Sequence, residues 1–162
     1  GRSTDDEINL ALPGFNSGWR EVIGFSNMTS EFNEENLEDF GGKGTYRDPE
    51  FIWRDTIAPT SVLFVHTDKL GSKYKDNLFV GSVKNGTVFN FPLDDTRTHL
   101  VLTGPLSDKK ADNNHETGDV IFGRNFGVIT DLQIGPDGNL YILSNYKHDG
   151  TIFKITAKNN TN

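Results

Sequence analysis

Residues 74–91, YKDNLFVGSVKNGTVFNF, constrain the fold of this chain more than any other segment. They read as two short strands, 78–83 and 87–93, joined at Asn85-Gly86 with Lys84 at the lip of the turn. Asn-Gly favours the positive φ that a tight hairpin turn demands. A related unit follows from Ile129: TDLQIGPDGNLYILS, a polar gap, then GTIFKI. There Pro136-Asp137-Gly138 makes the connection, Pro setting φ and Gly relieving it. Hairpin units that recur within one chain predict a sheet-based repeat protein. In such folds function sits on the turns and strand ends at one end of the assembly.

The flanking segments extend this pattern. Residues 57–66, IAPTSVLFVH, predict an apolar strand with Pro59 at its start, where a missing N–H is tolerated. Residues 98–102, THLVL, predict a fourth, outer strand that completes one propeller blade. After a polar loop over 104–118, strands are expected at 128–134, 140–144 and 151–156. Residues 5–12, DDEINLAL, read as the start of a strand, part of a pair from an earlier blade. Residues 30–40, SEFNEENLEDF, predict a short helix capped by Ser30 and stopped by Gly41-Gly42, inside a surface insertion over 28–45. The expected fold is all-β: a partial β-propeller of about two to three blades of four-stranded antiparallel sheet. A ring needs about four to eight blades, so residues 1–162 read as the C-terminal portion of a single propeller domain. Its exposed blade faces and sheet edges call for a missing N-terminal half, or another copy of the chain, as partner.

Charge narrows the function classes. The chain carries 16 Lys and Arg against 23 Asp and Glu, a net −7, and Lys109-Lys110 is its only basic pair. That balance argues against a nucleic-acid partner, because phosphate binding draws on clustered cations. No apolar run approaches the roughly 18 residues needed to span a bilayer. The absence of cysteine excludes disulfides, thiolate zinc sites and cysteine nucleophiles. His66, His99, His115 and His148 show no paired zinc spacing, and no nucleophile elbow or phosphate loop is present. Asn27, Asn85 and Asn159 stand in glycosylation sequons.

Several motifs carry a family resemblance: DDEINLALPGFNSGW, WRDTIAPTSVLFV, NLFVGSVKNGTVFNF, GPDGNLYILS and the final GTIFKI, in that order over nearly the whole chain. This arrangement resembles the C-terminal half of the glucose/sorbosone dehydrogenase family, six-bladed β-propellers that include the soluble quinoprotein sugar dehydrogenases. The resemblance implies pyrroloquinoline quinone (PQQ) and Ca2+ at the propeller's mouth, a sugar oxidised at its C1 hydroxyl, and an extracytoplasmic location (secreted, periplasmic or cell-surface). The family's catalytic histidine base falls outside this chain.

Carried over by position, the backbone carbonyls of Gly1 and Arg2 correspond to calcium ligands, where the family often has Gly-Pro. Glu7 corresponds to a structural calcium ligand, a hard oxygen donor. Lys84 corresponds to the lysine facing the quinone, and Trp53 and Thr56 to the segment that packs beside it, here one residue longer as WRDTIAP. The family's Arg-x-Arg-Asp before the PDG turn is replaced by Val128-Ile129-Thr130-Asp131, which removes two guanidinium contacts to an anionic cofactor. Arg124, a few residues upstream, is the nearest substitute. Two readings stand side by side: a PQQ- and calcium-dependent aldose dehydrogenase, and a non-catalytic propeller that has lost the quinone site and binds carbohydrate or protein. A metal-dependent sugar lactonase on a similar propeller lacks assignable ligands here.

Overall fold

A computed structural model describes residues 4–84 and 86–158. Gly1, Arg2, Asn85 and Asn159, all singled out above, lie outside the described residues. Among those described, twelve strands follow one another: β1 (Thr4–Ile8), β2 (Phe15–Asn16), β3 (Thr45–Tyr46), β4 (Phe51–Asp55), β5 (Pro59–Phe64), β6 (Leu78–Ser82), β7 (Val88–Phe91), β8 (Lys110–Ala111), β9 (Ile121–Gly123), β10 (Val128–Ile134), β11 (Leu140–Tyr146) and β12 (Asp149–Ile155). The chain forms two compact units, Gly1–Thr56 with Thr103–Glu116, and Ile57–Leu102 with Thr117–Asn162.

In the first unit β1 runs antiparallel to β4, with Asp6 opposite Trp53. The other edge of β4 takes β8 in parallel, and β2 pairs in parallel with β3. Phe51, Ile52 and Trp53 are consecutive and all buried. A strand covered on both faces reads as an unbroken apolar run, so β4 carries no alternation by which to find it in the sequence. Buried carboxylates here all have partners: Arg54 meets Asp5 at 3.1 Å, the Thr56 hydroxyl donates to Asp6 at 2.6 Å, and Lys109 meets Glu50 at 3.1 Å. Pairing is what makes such burial tolerable.

The helix expected over 30–40 is reduced to a 3-10 turn, Glu34–Asn36, capped by the Asn33 side chain rather than Ser30. Its residues are drawn into other contacts. Phe32 packs on Tyr46 at 4.8 Å, and Glu34 accepts from the Tyr46 N–H. A helix this short does not offset its own nucleation cost, so these contacts prevail.

The second unit holds two antiparallel sheets, β5-β6-β7-β9 and β10-β11-β12. Their facing sides share one core, in which Phe79 and Val88 from the first sheet meet Ile129, Leu132, Leu140 and Ile142 from the second. Gly81 marks the closest approach: a Cβ there would lie 2.6 Å from Ser61 Oγ and 2.8 Å from the Ile129 side chain. The Thr60 hydroxyl spans the two sheets with a 2.8 Å bond to the Ile129 carbonyl.

The fourth strand of this blade is β9, not residues 98–102. Those residues make only a bridge, Leu93 to Leu100. The Asp94 carboxylate accepts the N–H groups of Thr98 and His99, and the Arg97 N–H bonds the Asp94 carbonyl. That local turn folds the segment back on itself. β9 takes the edge of β7 instead, and Phe122 from it packs on Phe79 and Tyr74 at 4.8 and 5.0 Å.

Three segments meet at one end of the unit. The Phe126 N–H donates to the Gly86 carbonyl at 3.0 Å, joining the β6–β7 turn to the linker between β9 and β10. A Cβ on Gly86 would sit 2.5 Å from the Gly127 backbone. Gly127 has φ +79°, and a Cβ on it would sit 2.7 Å from the Asn145 carbonyl at the end of β11. Both contacts are backbone against backbone and leave no room for a side chain.

Gly127→Ala therefore loses about 1–3 kcal/mol in urea unfolding, from strain at positive φ plus overlap. Phe79→Ala, which empties the shared core, loses about 3–5 kcal/mol in the same measurement. The turn before β11 adds a pH prediction. Asp137 accepts from Lys154 at 2.7 Å, Tyr141 at 2.9 Å and the Asn139 N–H at 3.1 Å. The Lys154 ammonium, first among these, holds its carboxyl well below the usual aspartate range. A depressed carboxyl stabilises the fold above its ordinary pKa and loses that contribution as pH falls below about 4. Asp137→Asn should flatten this part of the acid limb in pH-dependent unfolding; an unchanged acid limb would contradict the assignment.

Candidate functional site

The converging turns enclose an open cleft of about 790 Å³. One wall is the β6–β7 turn, through Val83 and Gly86. A second is the start of β10, through Asn125, Gly127 and Val128. The third is the end of the β11–β12 hairpin, through Asn145, Tyr146, Lys147 and His148. Each wall is a strand end or a turn, where a sheet repeat places variable side chains without disturbing its core.

Lys84 is exposed and stands between the wall residues Val83 and Gly86. Its backbone is fixed: the N–H of Lys84 bonds the Ile57 carbonyl at 3.1 Å, and that of Val83 bonds the Ala58 carbonyl at 3.0 Å. Lys84 thus sits on a pinned loop next to the wall residue Val83.

On the second wall, alternation along β10 buries Ile129 and exposes Val128 and Thr130. Val128 and Thr130, where the resemblance implies arginines, are therefore both exposed. Thr130 sits at a bulge between the paired residues Ile129 and Asp131, and its hydroxyl bonds the Leu143 carbonyl at 3.2 Å. Asp131 is occupied locally, accepting from the Leu132 N–H at 2.8 Å and the Gln133 amide at 3.0 Å. Arg124 is exposed, and its neighbour Asn125 is the residue of that loop that walls the cleft.

The third wall is the one the sequence did not disclose. Tyr146 pairs with Asp149, which leaves Lys147 and His148 as a two-residue hairpin loop. Both have positive φ, 51° and 71°, as the tightest hairpin turns require. Such positions favour Asn and Gly, and Lys-His gives no turn signal, so the segment reads only as a polar gap. The Lys147 ammonium lies 5.3 Å from the centre of the Tyr146 ring, which in turn meets Phe153 edge-on at 5.5 Å.

Trp53, Thr56 and Glu7 belong to the first unit. Trp53 is 1% exposed and packs edge-on against Phe51 at 4.9 Å, a core position. Thr56 holds Asp6 through the bond described above. Glu7 is half-buried; one carboxylate oxygen accepts the Gly24 N–H at 2.8 Å and the other the Asn9 amide at 3.0 Å. Among the described residues, no three or more His, Asp or Glu gather as metal ligands would.

The cleft's donor set fits a planar, carboxylate-bearing group such as PQQ. Its walls carry an ammonium, an imidazole, two amides and an aromatic ring, and no carboxylate. This holds in a chain with seven more acidic than basic residues. A ligand with negative charge meets the Lys147 ammonium there, with Asp149 just behind the turn.

Comparison with known proteins places this geometry in a family. The family model described as glucose/sorbosone dehydrogenase matches residues 1–154. The chain is 26% identical over 155 residues to the aldose sugar dehydrogenase YliI of Escherichia coli (strain K12), covering 95% of this chain and 36% of that protein. A crystal structure of a glucose dehydrogenase matches with a TM-score of 0.64 at 21% identity, over 96% of this chain and 39% of the other. The apo form of the soluble aldose sugar dehydrogenase from Escherichia coli matches with a TM-score of 0.61 at 22% identity, again over 96% of this chain and 39% of the other. The chain thus spans well under half the length of these relatives, and its strands fold as part of an all-β propeller. By its family match over residues 1–154, and with the architecture of those neighbours, the chain belongs to the glucose/sorbosone dehydrogenase family.

Proposed function

We propose that this chain is the C-terminal part of a PQQ-dependent aldose dehydrogenase, in which the cleft of the second unit receives the quinone. The observation that carries this reading is a cleft whose lining, among the described residues, holds Lys147 and His148 and no carboxylate, with Lys84 next in sequence to the wall residue Val83, in an acidic member of a sugar dehydrogenase family. When bound, the quinone supplies a two-electron acceptor for the C1 carbon of an aldose.

The chain's own residues hold and orient. Lys84 would donate a charge-assisted hydrogen bond to a cofactor oxygen, a role suited to an ammonium on a pinned turn. The Tyr146 ring offers a flat wall. Trp53, buried in β4 against Phe51, would hold the strand that leads to Thr56. Glu7 holds the Gly24 N–H and the Asn9 side-chain amide, and calcium would draw chiefly on the Gly1 and Arg2 carbonyls. The base that takes the C1 hydroxyl proton would come from sequence beyond this chain. A sugar substrate, an extracytoplasmic location and a partner in the form of the remaining propeller blades, or a second copy, complete the proposal. Among the described residues no helix is long and apolar enough to cross a membrane.

A second reading has one observation in its favour: Val128 and Thr130 stand where the family has arginines. A propeller without those contacts can serve as a carbohydrate- or protein-binding scaffold.

Titrating the full-length protein with PQQ and calcium separates the two. The enzyme reading expects saturable binding at micromolar PQQ and a quinone absorbance change on adding glucose. No binding removes it and leaves the scaffold. Given binding, Lys84→Ala should weaken PQQ affinity about tenfold or more, the worth of one charge-assisted contact.

A further inference from the structure

We infer that the β11–β12 turn, through Lys147 and His148, makes the contacts to the ligand's carboxylates that arginines at positions 128 and 130 make in the usual family pattern. This rests on the quinone reading above and names the residues by which this chain satisfies it.

Three observations converge on the turn. Val128, though not Thr130, lines the same cleft as Lys147 and His148, so a guanidinium expected at 128 and the donors of the turn would share one space. An ammonium and an imidazole N–H can each donate to a carboxylate, as a guanidinium does, though without its bidentate fork. The Lys147 ammonium is also held over the Tyr146 ring, which limits the freedom it must give up on binding a ligand.

The backbone adds the second observation. A two-residue loop with both residues at positive φ is built at least strain by Asn and Gly. Here Lys147 and His148 occupy it at φ 51° and 71°. Two large polar side chains at positive φ on a cleft wall are consistent with a role in binding, beside the contact that Lys147 makes with the Tyr146 ring.

The third is charge. In a chain of net −7 the described residues lining the cleft include Lys147 and His148 and no carboxylate; Asp149 follows at the base of the turn, and Lys84, beside the wall residue Val83, adds a second ammonium nearby. The resulting field favours a polyanion over a neutral sugar alone.

The test compares two ligands, PQQ and its trimethyl ester, which keeps the ring system and lacks the carboxylates. Dissociation constants are measured by fluorescence quenching on the full-length protein. Lys147→Ala should weaken PQQ about tenfold and His148→Ala several-fold, while affinity for the ester stays within about twofold of wild type. Lys147→Arg should restore most of the loss. Alanine shares the positive-φ cost of the residues it replaces, so the turn itself is little altered. If the double alanine variant binds PQQ as wild type does, this inference is overturned and the quinone reading survives. If PQQ and ester weaken equally, the turn shapes the cleft and contacts no carboxylate, which also overturns it. If wild type binds no PQQ, both this inference and the reading it rests on fall.

Discussion

Backbone-to-backbone contact at Gly86 and Gly127 is the constraint on which the candidate site depends. Two separate hairpin turns and the linker between the sheets can lie this close only because neither glycine carries a side chain. The Phe126 N–H bond to the Gly86 carbonyl fixes the first contact, and the Ser144 hydroxyl, bonded to the Phe126 carbonyl, fixes the linker against β11. With the backbones locked, what remains free at this end of the unit is side chains: Lys84, Val128, Lys147 and His148. A rigid frame with interchangeable side chains is what lets a family keep a fold while changing the contacts to its ligand.

The shared core supplies the rigidity behind that frame. Phe79, Val88, Ile129, Leu132, Leu140 and Ile142 bury the facing sides of two sheets, and Gly81 lets those sheets close on each other. Alternation then forces the polar half of β10 outward. Ile129 goes into the core and Val128 and Thr130 are exposed, Val128 at the cleft. The arginines that the resemblance implies at 128 and 130 would fall on this same exposed side of β10. Exchanging one set for the other costs the core nothing, because the substituted side chains never entered it.

The two units differ in how legible they were. In the second, alternation and turn chemistry agree with the structure at β5, β6, β7 and β10 to β12, and Pro59 does begin its strand. The outer strand was misplaced because THLVL has strand composition, while Asp94 folds it into a local turn and leaves the edge of β7 to β9. In the first unit β4 was invisible as a strand because its buried run has no period, and the expected helix yielded to contacts of Phe32 and Glu34 with Tyr46. A parallel pair such as β4–β8 joins residues more than fifty positions apart, which no local pattern encodes. Trp53 was assigned beside a cofactor from its motif; its burial against Phe51 is a consequence of packing that the motif does not carry.

By itself the sequence determined the fold class, the hairpin repeat, the family, and the loss of arginine at 128 and 130. The first two follow from local chemistry, from which residues alternate and which tolerate positive φ; the family, and with it the arginines expected at 128 and 130, rests on the resemblance of motifs in order. Only the tertiary structure decided that Lys147 and His148, about twenty residues beyond the missing arginines, face the same cleft as Val128. That outcome depends on two glycines meeting across separate turns, a through-space contact between backbones that neither turn specifies alone.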